Sequence, residues 1–202
     1  MRNTIFLTTL LLSSNAVAEF STTEATAPFG EQQVVTLEET NTFNLSGSAI
    51  KVGDYMPSAH LMTSDLKPFD TSAEDDQVKI YSVLTSVDTP VCVQQAIDLS
   101  KHIASRKADL KGIAFYAISA DTPFAQQRFI KQHEMNDIVY LSDSSKHQFG
   151  LKTGSHIEEL GLLTRSIIVT DKNNKIVYTQ RVPELTTIPD LERAISVAQE
   201  NL

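Results

Sequence analysis

The sequence predicts an α/β domain: a mixed central sheet with helices on both faces and an N-terminal β-hairpin. Three observations predict it. Two segments dense in β-branched and aromatic residues, 78–84 and 113–118, flank a stretch with Ala96, Leu99 and Ile103 at helical spacing, which makes a strand, helix, strand unit. A second helix, 123–134, carries Phe124, Phe129 and Ile130 and leads into a short strand at 138–141. Two further strands, 165–170 and 175–181, flank the hairpin turn Asp171-Lys172-Asn173-Asn174 and precede a last helix, 188–199, that buries Leu191, Ala194, Ile195 and Ala198. Strands alternating with helices and closing on a hairpin and helix give a mixed sheet covered on both sides.

The elements before the first long strand are shorter. Arg2, an apolar run over 5–12, and Ala16-Val17-Ala18 before Glu19 are the three parts of a secretory signal peptide, with cleavage expected after Ala18. Ser13, Ser14 and Asn15 interrupt the run, which is too short to span a bilayer. Residues 19–33, rich in Ser, Thr, Glu and Ala, read as a flexible leader, and 34–202 as the folded domain. Residues 34–37 and 42–45 flank a polar turn as a hairpin, 49–52 form a further extended piece, and 60–62 a short strand. Residues 64–76 are a polar connection.

The net charge of −8 becomes −9 once residues 1–18, which contain one basic residue and no acidic one, are removed. That balance argues against nucleic acid and anionic membrane as partners. No later segment approaches the ~20 apolar residues of a membrane helix. A periplasmic or secreted location is expected. The five histidines lack metal-ligand spacing, and Glu158-Glu159 and Glu74-Asp75-Asp76 read as solvated turns, so neither metal nor cofactor is expected.

Cys92 is the only cysteine. In an exported protein, where cysteines commonly pair, a lone one is buried, reactive or joined to another molecule. Its surroundings favour reactivity. Pro90 suits the first position of a helix, which makes Thr89 the N-cap and places Cys92 in the first turn, where unpaired amides and the helix dipole favour a thiolate. The plain alternative for Cys92 is a small buried apolar residue, and for Arg165 a strand-end arginine in an ion pair.

The segment Ser86-Val87-Asp88-Thr89-Pro90-Val91-Cys92 resembles the active-site segment of peroxiredoxins, specifically of the bacterial thiol peroxidases. Residues 119–129, Ser-Ala-Asp-Thr-Pro-Phe-Ala-Gln-Gln-Arg-Phe, resemble that family's second signature, and 161–171 the segment carrying its active-site arginine. The similarity runs from about Val34 to the C-terminus. It implies a thioredoxin-like fold of peroxiredoxin type and a site in which Cys92 attacks a peroxide O–O bond and becomes a sulfenic acid. Thr89 would hydrogen-bond the peroxide, and Arg165 would stabilise the thiolate and the developing negative charge. A homodimer built through the helices flanking the site is also implied.

Two positions depart from the family. Thr85 stands where the family has a proline that shields the sulfur, and Ile130 where typical thiol peroxidases have a resolving cysteine. An internal disulfide is impossible. The expected function is therefore an exported one-cysteine peroxidase reducing hydrogen peroxide or small organic hydroperoxides. Its sulfenic acid would be resolved by an external thiol, either a thioredoxin-like protein or a small thiol. The rival is a catalytically weak redox sensor or partner-binding module on the same fold. Arg128 is read as an ordinary helix arginine, as a contact to substrate, or as a contact to a partner subunit.

Overall fold

Val78–Val83 is buried at every position, and its side chains divide between two cores. Val78 and Ile80 join one apolar cluster, Tyr81 and Val83 the other, as the two-residue period of a strand covered on both faces requires. The computed structural model describes residues 19–202, and the signal-peptide reading falls outside them. In chain order the strands are β1 (Thr22–Thr23), β2 (Val34–Leu37), β3 (Asn41–Ser46), β4 (His60–Thr63), β5 (Pro68–Asp70) and β6 (Val78–Val83). Then come α1 (Pro90–Ser105), β7 (Ile113–Ser119), α2 (Pro123–His133), β8 (Val139–Ser142), α3 (Gln148–Thr153), β9 (His156–Ile157) and β10 (Leu162–Leu163). The chain closes with β11 (Ser166–Thr170), β12 (Ile176–Arg181), β13 (Ile188–Pro189) and α4 (Leu191–Glu200).

Seven strands form the central sheet in the order β12-β11-β6-β7-β8-β4-β5. β6, β7 and β8 run parallel, joined by the crossover helices α1 and α2, while β11 and β12 add antiparallel on one side and β4 and β5 on the other. Apolar residues of α1, α2 and α4, among them Leu99, Phe129 and Ile195, share the core on one face of the sheet. The opposite face packs Phe149 of α3 with Phe29, Ile50, Met56 and Leu163. A smaller sheet, β10-β9-β3-β2, carries the N-terminal hairpin. The α/β mixed-sheet prediction is met.

The differences from the sequence reading lie in short elements. β5 falls inside the segment read as a polar connection, and 49–52 form no strand although Ile50 is buried. The last helix begins at Leu191 because Ile188 and Pro189 pair in parallel with Thr22 and Thr23, and the Asp190 side chain accepts a capping bond from the Arg193 amide. That same pairing corrects the reading of 19–33 as a flexible leader. The Ala27 amide donates to the Arg181 carbonyl, Gln180 Nε2 to the carbonyls of Thr23 and Ala25, Arg181 Nε to that of Pro28, and Phe29 is buried. At Gly154, φ is +67° and a Cβ would stand 2.4 Å from the Gly30 amide nitrogen, so only glycine admits this stretch so close to the end of α3.

Candidate active site

β6 ends at Val83, and the chain crosses from the sheet into α1 through residues 84–89. Asp121, just past β7, fixes this turn: its carboxylate accepts from the Ser86 hydroxyl at 2.9 Å and from the Val87 amide at 2.8 Å. The Asp88 amide donates to Ser86 Oγ at 3.2 Å. Arg128, on α2, reaches back with Nη2 to both oxygens of Asp88, at 3.1 and 3.3 Å. Of the three readings of Arg128, this contact supports a structural one, a tie between α2 and the loop ahead of Cys92. The Ser86 amide, held by this network, donates to Cys92 Sγ at 3.4 Å. Cys92 is a free thiol with no solvent exposure, in the first turn of α1, so the predicted position on the helix is correct.

Thr89 is the N-cap residue, in extended conformation with Pro90 after it, but its hydroxyl caps no amide. It donates to the Ser86 carbonyl at 3.1 Å, so a peroxide oxygen would compete with that carbonyl for the same proton. Arg165 is 1 % exposed, immediately ahead of β11, in step with Ile167 and Val169, whose side chains face the α1 core. Its Nη1 donates to Gln95 Oε1 at 2.6 Å and its Nε to the Leu185 carbonyl at 3.2 Å. Gln95 lies one turn beyond Cys92 on the same helix face and donates in turn to Ser82 Oγ at 2.8 Å. Arg165 is thus tied to the residue one helical turn beyond Cys92, and neither it nor Thr89 hydrogen-bonds Sγ.

Gln95 and Asp121 hold this site together, and the sequence reading assigned neither. Asp121 lay inside the quoted second signature, and Gln95 at the i+3 position from Cys92, so spacing offered a signal for both. Thr85 is 6 % exposed and its Oγ1 is buried without a partner. A buried hydroxyl left in that state costs about 1–3 kcal/mol. Ile130 packs, partly buried, against the α1 core, so an apolar side chain stands where the resemblance implies a second sulfur. Among the described residues no group of three or more His, Cys, Asp or Glu side chains is placed to hold a metal.

Beside the site runs a groove of about 640 Å³, walled by Val87, Asp88 and Val93 of the Cys92 loop and helix, by Arg128 and Phe129 of α2, and by Phe20. A sulfur with an amide donor, a buried cation bonded to the glutamine of the next helical turn and no bulk solvent is arranged for nucleophilic displacement on a small polar molecule.

Residues 51–195 match the family model described as Redoxin. A thiol peroxidase of Clostridium acetobutylicum is 35% identical over 155 residues, covering 77% of this chain and 92% of that protein. A thiol peroxidase of Bacillus subtilis is 37% identical over 155 residues, covering 77% and 90%. Among solved structures, a peroxiredoxin-like protein from Aquifex aeolicus superposes with a TM-score of 0.77 at 30% identity, over 86% of this chain and 99% of that one. A thiol peroxidase from Chromobacterium violaceum, at 21% identity and a TM-score of 0.75 over 84% and 97%, shares the fold.

Proposed function

The chain belongs to the bacterial thiol peroxidase family of the peroxiredoxin superfamily, and we propose that within it this protein is an exported one-cysteine peroxidase acting on hydrogen peroxide or small organic hydroperoxides. It is a thiol-dependent peroxidase of peroxiredoxin type. One observation carries the finer reading: the sole cysteine sits at the start of α1 under the Ser86 amide, and Ile130 fills the position of the family's second thiol.

The Cys92 thiolate attacks the terminal oxygen of R–O–OH. A sulfur–oxygen bond forms as the O–O bond breaks, and the departing RO⁻ takes a proton and leaves as alcohol or water. Sulfur is oxidised and the peroxide reduced. Arg165, held at the next turn by Gln95, stabilises the charge that gathers on the leaving oxygen, and the Thr89 hydroxyl orients the peroxide once it turns from the Ser86 carbonyl. The Cys92 sulfenic acid then condenses with an external thiol, releasing water and leaving a mixed disulfide. A second thiol attacks that disulfide, regenerates Cys92 and departs oxidised. Without a thiol, further peroxide carries the sulfur to sulfinic acid.

Export to the periplasm or beyond rests on the residue pattern of 1–18. No helix among the described residues is long and apolar enough to cross a membrane. A homodimer through the helices beside the site is supported by the exposed Phe124 on α2 and by the neighbouring apolar groove.

The test is a trap followed by turnover. Peroxide is added to the reduced protein, the sulfenic acid is captured with dimedone and located by mass, and peroxide consumption is followed with small thiols and with a thioredoxin-like protein. A Cys92 adduct, turnover with at least one of these reductants and a dead Cys92→Ser variant are expected. No adduct at Cys92, or a sulfenic acid that no thiol reduces, would overturn the one-cysteine cycle. The second of these outcomes leaves the sensor, the reading that the family proline replaced by Thr85 and the resolving cysteine replaced by Ile130 favour.

A further inference from the structure

Two adjacent glutamines hold the first turns of α1 from opposite sides. Gln95 faces inward to Arg165 and Ser82. Gln94 faces outward, where its side-chain amide makes a reciprocal pair with one residue of the N-terminal stretch: the Phe20 amide donates to Gln94 Oε1 at 2.8 Å, and Gln94 Nε2 donates to the Phe20 carbonyl at 3.1 Å. The Phe20 ring packs against the core that contains Cys92. Beyond Phe20, the Ser21 carbonyl accepts from the Ile188 amide, Thr22 and Thr23 pair with β13, and the anchors at Gln180 and Arg181 follow. Residues 20–30 therefore form a strap fastened to α1 at one end and to the sheet and α3 at the other. The strap lies wholly ahead of the region matched by the family model, which begins at residue 51.

We infer that this strap is a latch on the Cys92 helix that limits access of the reducing thiol to oxidised Cys92. The inference rests on the one-cysteine cycle proposed above. Cys92 has no exposed surface. Hydrogen peroxide is a few atoms across, but a thiol that must form an S–S bond with Cys92 brings its whole carbon skeleton, so the first turn of α1 has to move aside. The opening releases the amides of that turn. Gln94, two residues past the sulfur, ties the turn to the strap, so opening must also break both of its hydrogen bonds and expose Phe20. The latch thus weighs more on the second half-reaction, with its bulky thiol, than on oxidation by hydrogen peroxide.

Two variants loosen it from opposite sides, Gln94→Ala on the helix and Phe20→Ala on the strap. Arg106→Ala, which removes an exposed ion pair to Glu192 at the far end of α1, is the control. In the full chain, amide hydrogen exchange over residues 93–96 is expected to rise about tenfold in both latch variants, the effect of losing one or two hydrogen bonds of ordinary strength, while residues 100–105 keep their protection. Alkylation of reduced Cys92 by N-ethylmaleimide should rise by a similar factor, and capture of the sulfenic acid by a bulky thiol likewise, with its formation by hydrogen peroxide within twofold of the parent. The control should match the parent throughout. Exchange and alkylation within twofold of the parent in both latch variants, or a uniform rise along all of α1, would overturn the latch. Neither measurement uses peroxide, so a parent protein that forms no sulfenic acid sinks the catalytic proposal while these two still judge the latch.

Discussion

Replacing Gln95 by Leu tests whether Arg165 is held where the site needs it. The substitution removes the acceptor of Arg165 Nη1 and the donor to Ser82 Oγ, in a place where Arg165, Ser82 and Gln95 are each at most 1 % exposed. Water cannot take the vacated positions without entering the core. A hydrogen bond to a charged group contributes about 1.5–3 kcal/mol and a neutral one about 0.5–1.5 kcal/mol. Leucine returns part of this through apolar burial, about 1 kcal/mol. The expected net loss is about 1–3.5 kcal/mol. Urea unfolding followed by far-ultraviolet circular dichroism reads it, since the chain has no tryptophan, and the loss should appear as a lower midpoint at constant slope. Ser82→Ala, which removes only the neutral bond, should cost about 1 kcal/mol. The double variant should show coupling, because both changes act on one network. Gln95→Glu keeps an acceptor for the guanidinium and should restore most of the rate of Cys92 oxidation that Gln95→Leu loses. A Gln95→Leu protein within about 0.5 kcal/mol of the parent, oxidised at the parent's rate, would refute the claim that this glutamine seats the arginine.

Three other expectations follow from the same structure. Thr85→Val keeps the shape and removes the unpartnered hydroxyl, so it should leave stability unchanged or raise it by up to about 1 kcal/mol in thermal unfolding, against the destabilisation usual for a buried polar-to-apolar change. Arg128→Ala breaks a pair whose two side chains are more than half exposed, and its unfolding midpoint should shift by no more than about 0.5 kcal/mol equivalent. Glu184 supplies the pH dependence. Burial opposes its charge, but bonds from the Thr36 hydroxyl, the Thr186 and Glu39 amides and the Thr186 hydroxyl outweigh it and hold the carboxyl at about 2. A depressed carboxyl contributes stability that is complete above the unfolded value near 4.5 and is lost as pH falls toward 2. Glu184→Gln should therefore narrow the stability gap between pH 6 and pH 3 in urea titrations, and an unchanged gap would show that these bonds do not favour the ionised form.

The long elements were legible because their burial follows a simple period. β6 and β7 read as strands from β-branched and aromatic density, and α1 from Ala96, Leu99 and Ile103, all of which line one core. The elements that escaped reading are set by tertiary pairing. β5, β9, β10 and β13 are two or three residues long, and no periodicity can show in so short a run. α3 has six residues, and the Asp143 carboxylate caps it by accepting from the Phe149 and Gly150 amides, from outside the helix. The leader looked disordered because its own side chains are polar. It is held through its backbone, by Gln94, Gln180 and Arg181 from elsewhere in the fold, and composition carries no trace of that. The same reason hid Gln95 and Asp121. Cys92 and Arg165 announce chemistry by residue type, whereas a glutamine or an aspartate that positions them is known only by what it touches.

The departure from the family pattern at Ile130 and the strap bear on one another. A chain that resolves its own sulfenic acid must let α1 shift until two sulfurs meet, and stiffening that helix would slow every turnover. Ile130 removes this demand, because no internal partner waits for Cys92. The first turns of α1 can then be fixed from both sides, by Gln95 to Arg165 and by Gln94 to Phe20, with the loop ahead of them stapled by Asp121. The cost falls chiefly on the external thiol, the bulkier reactant. On this reading a second thiol placed at residue 130 should not restore an internal cycle by itself: Ile130→Cys should form a disulfide with Cys92 under peroxide slowly, and markedly faster when combined with Gln94→Ala. The rate of disulfide appearance on non-reducing mass analysis decides it, and equal rates in the single and double variants would show that the strap does not govern the movement of the Cys92 helix.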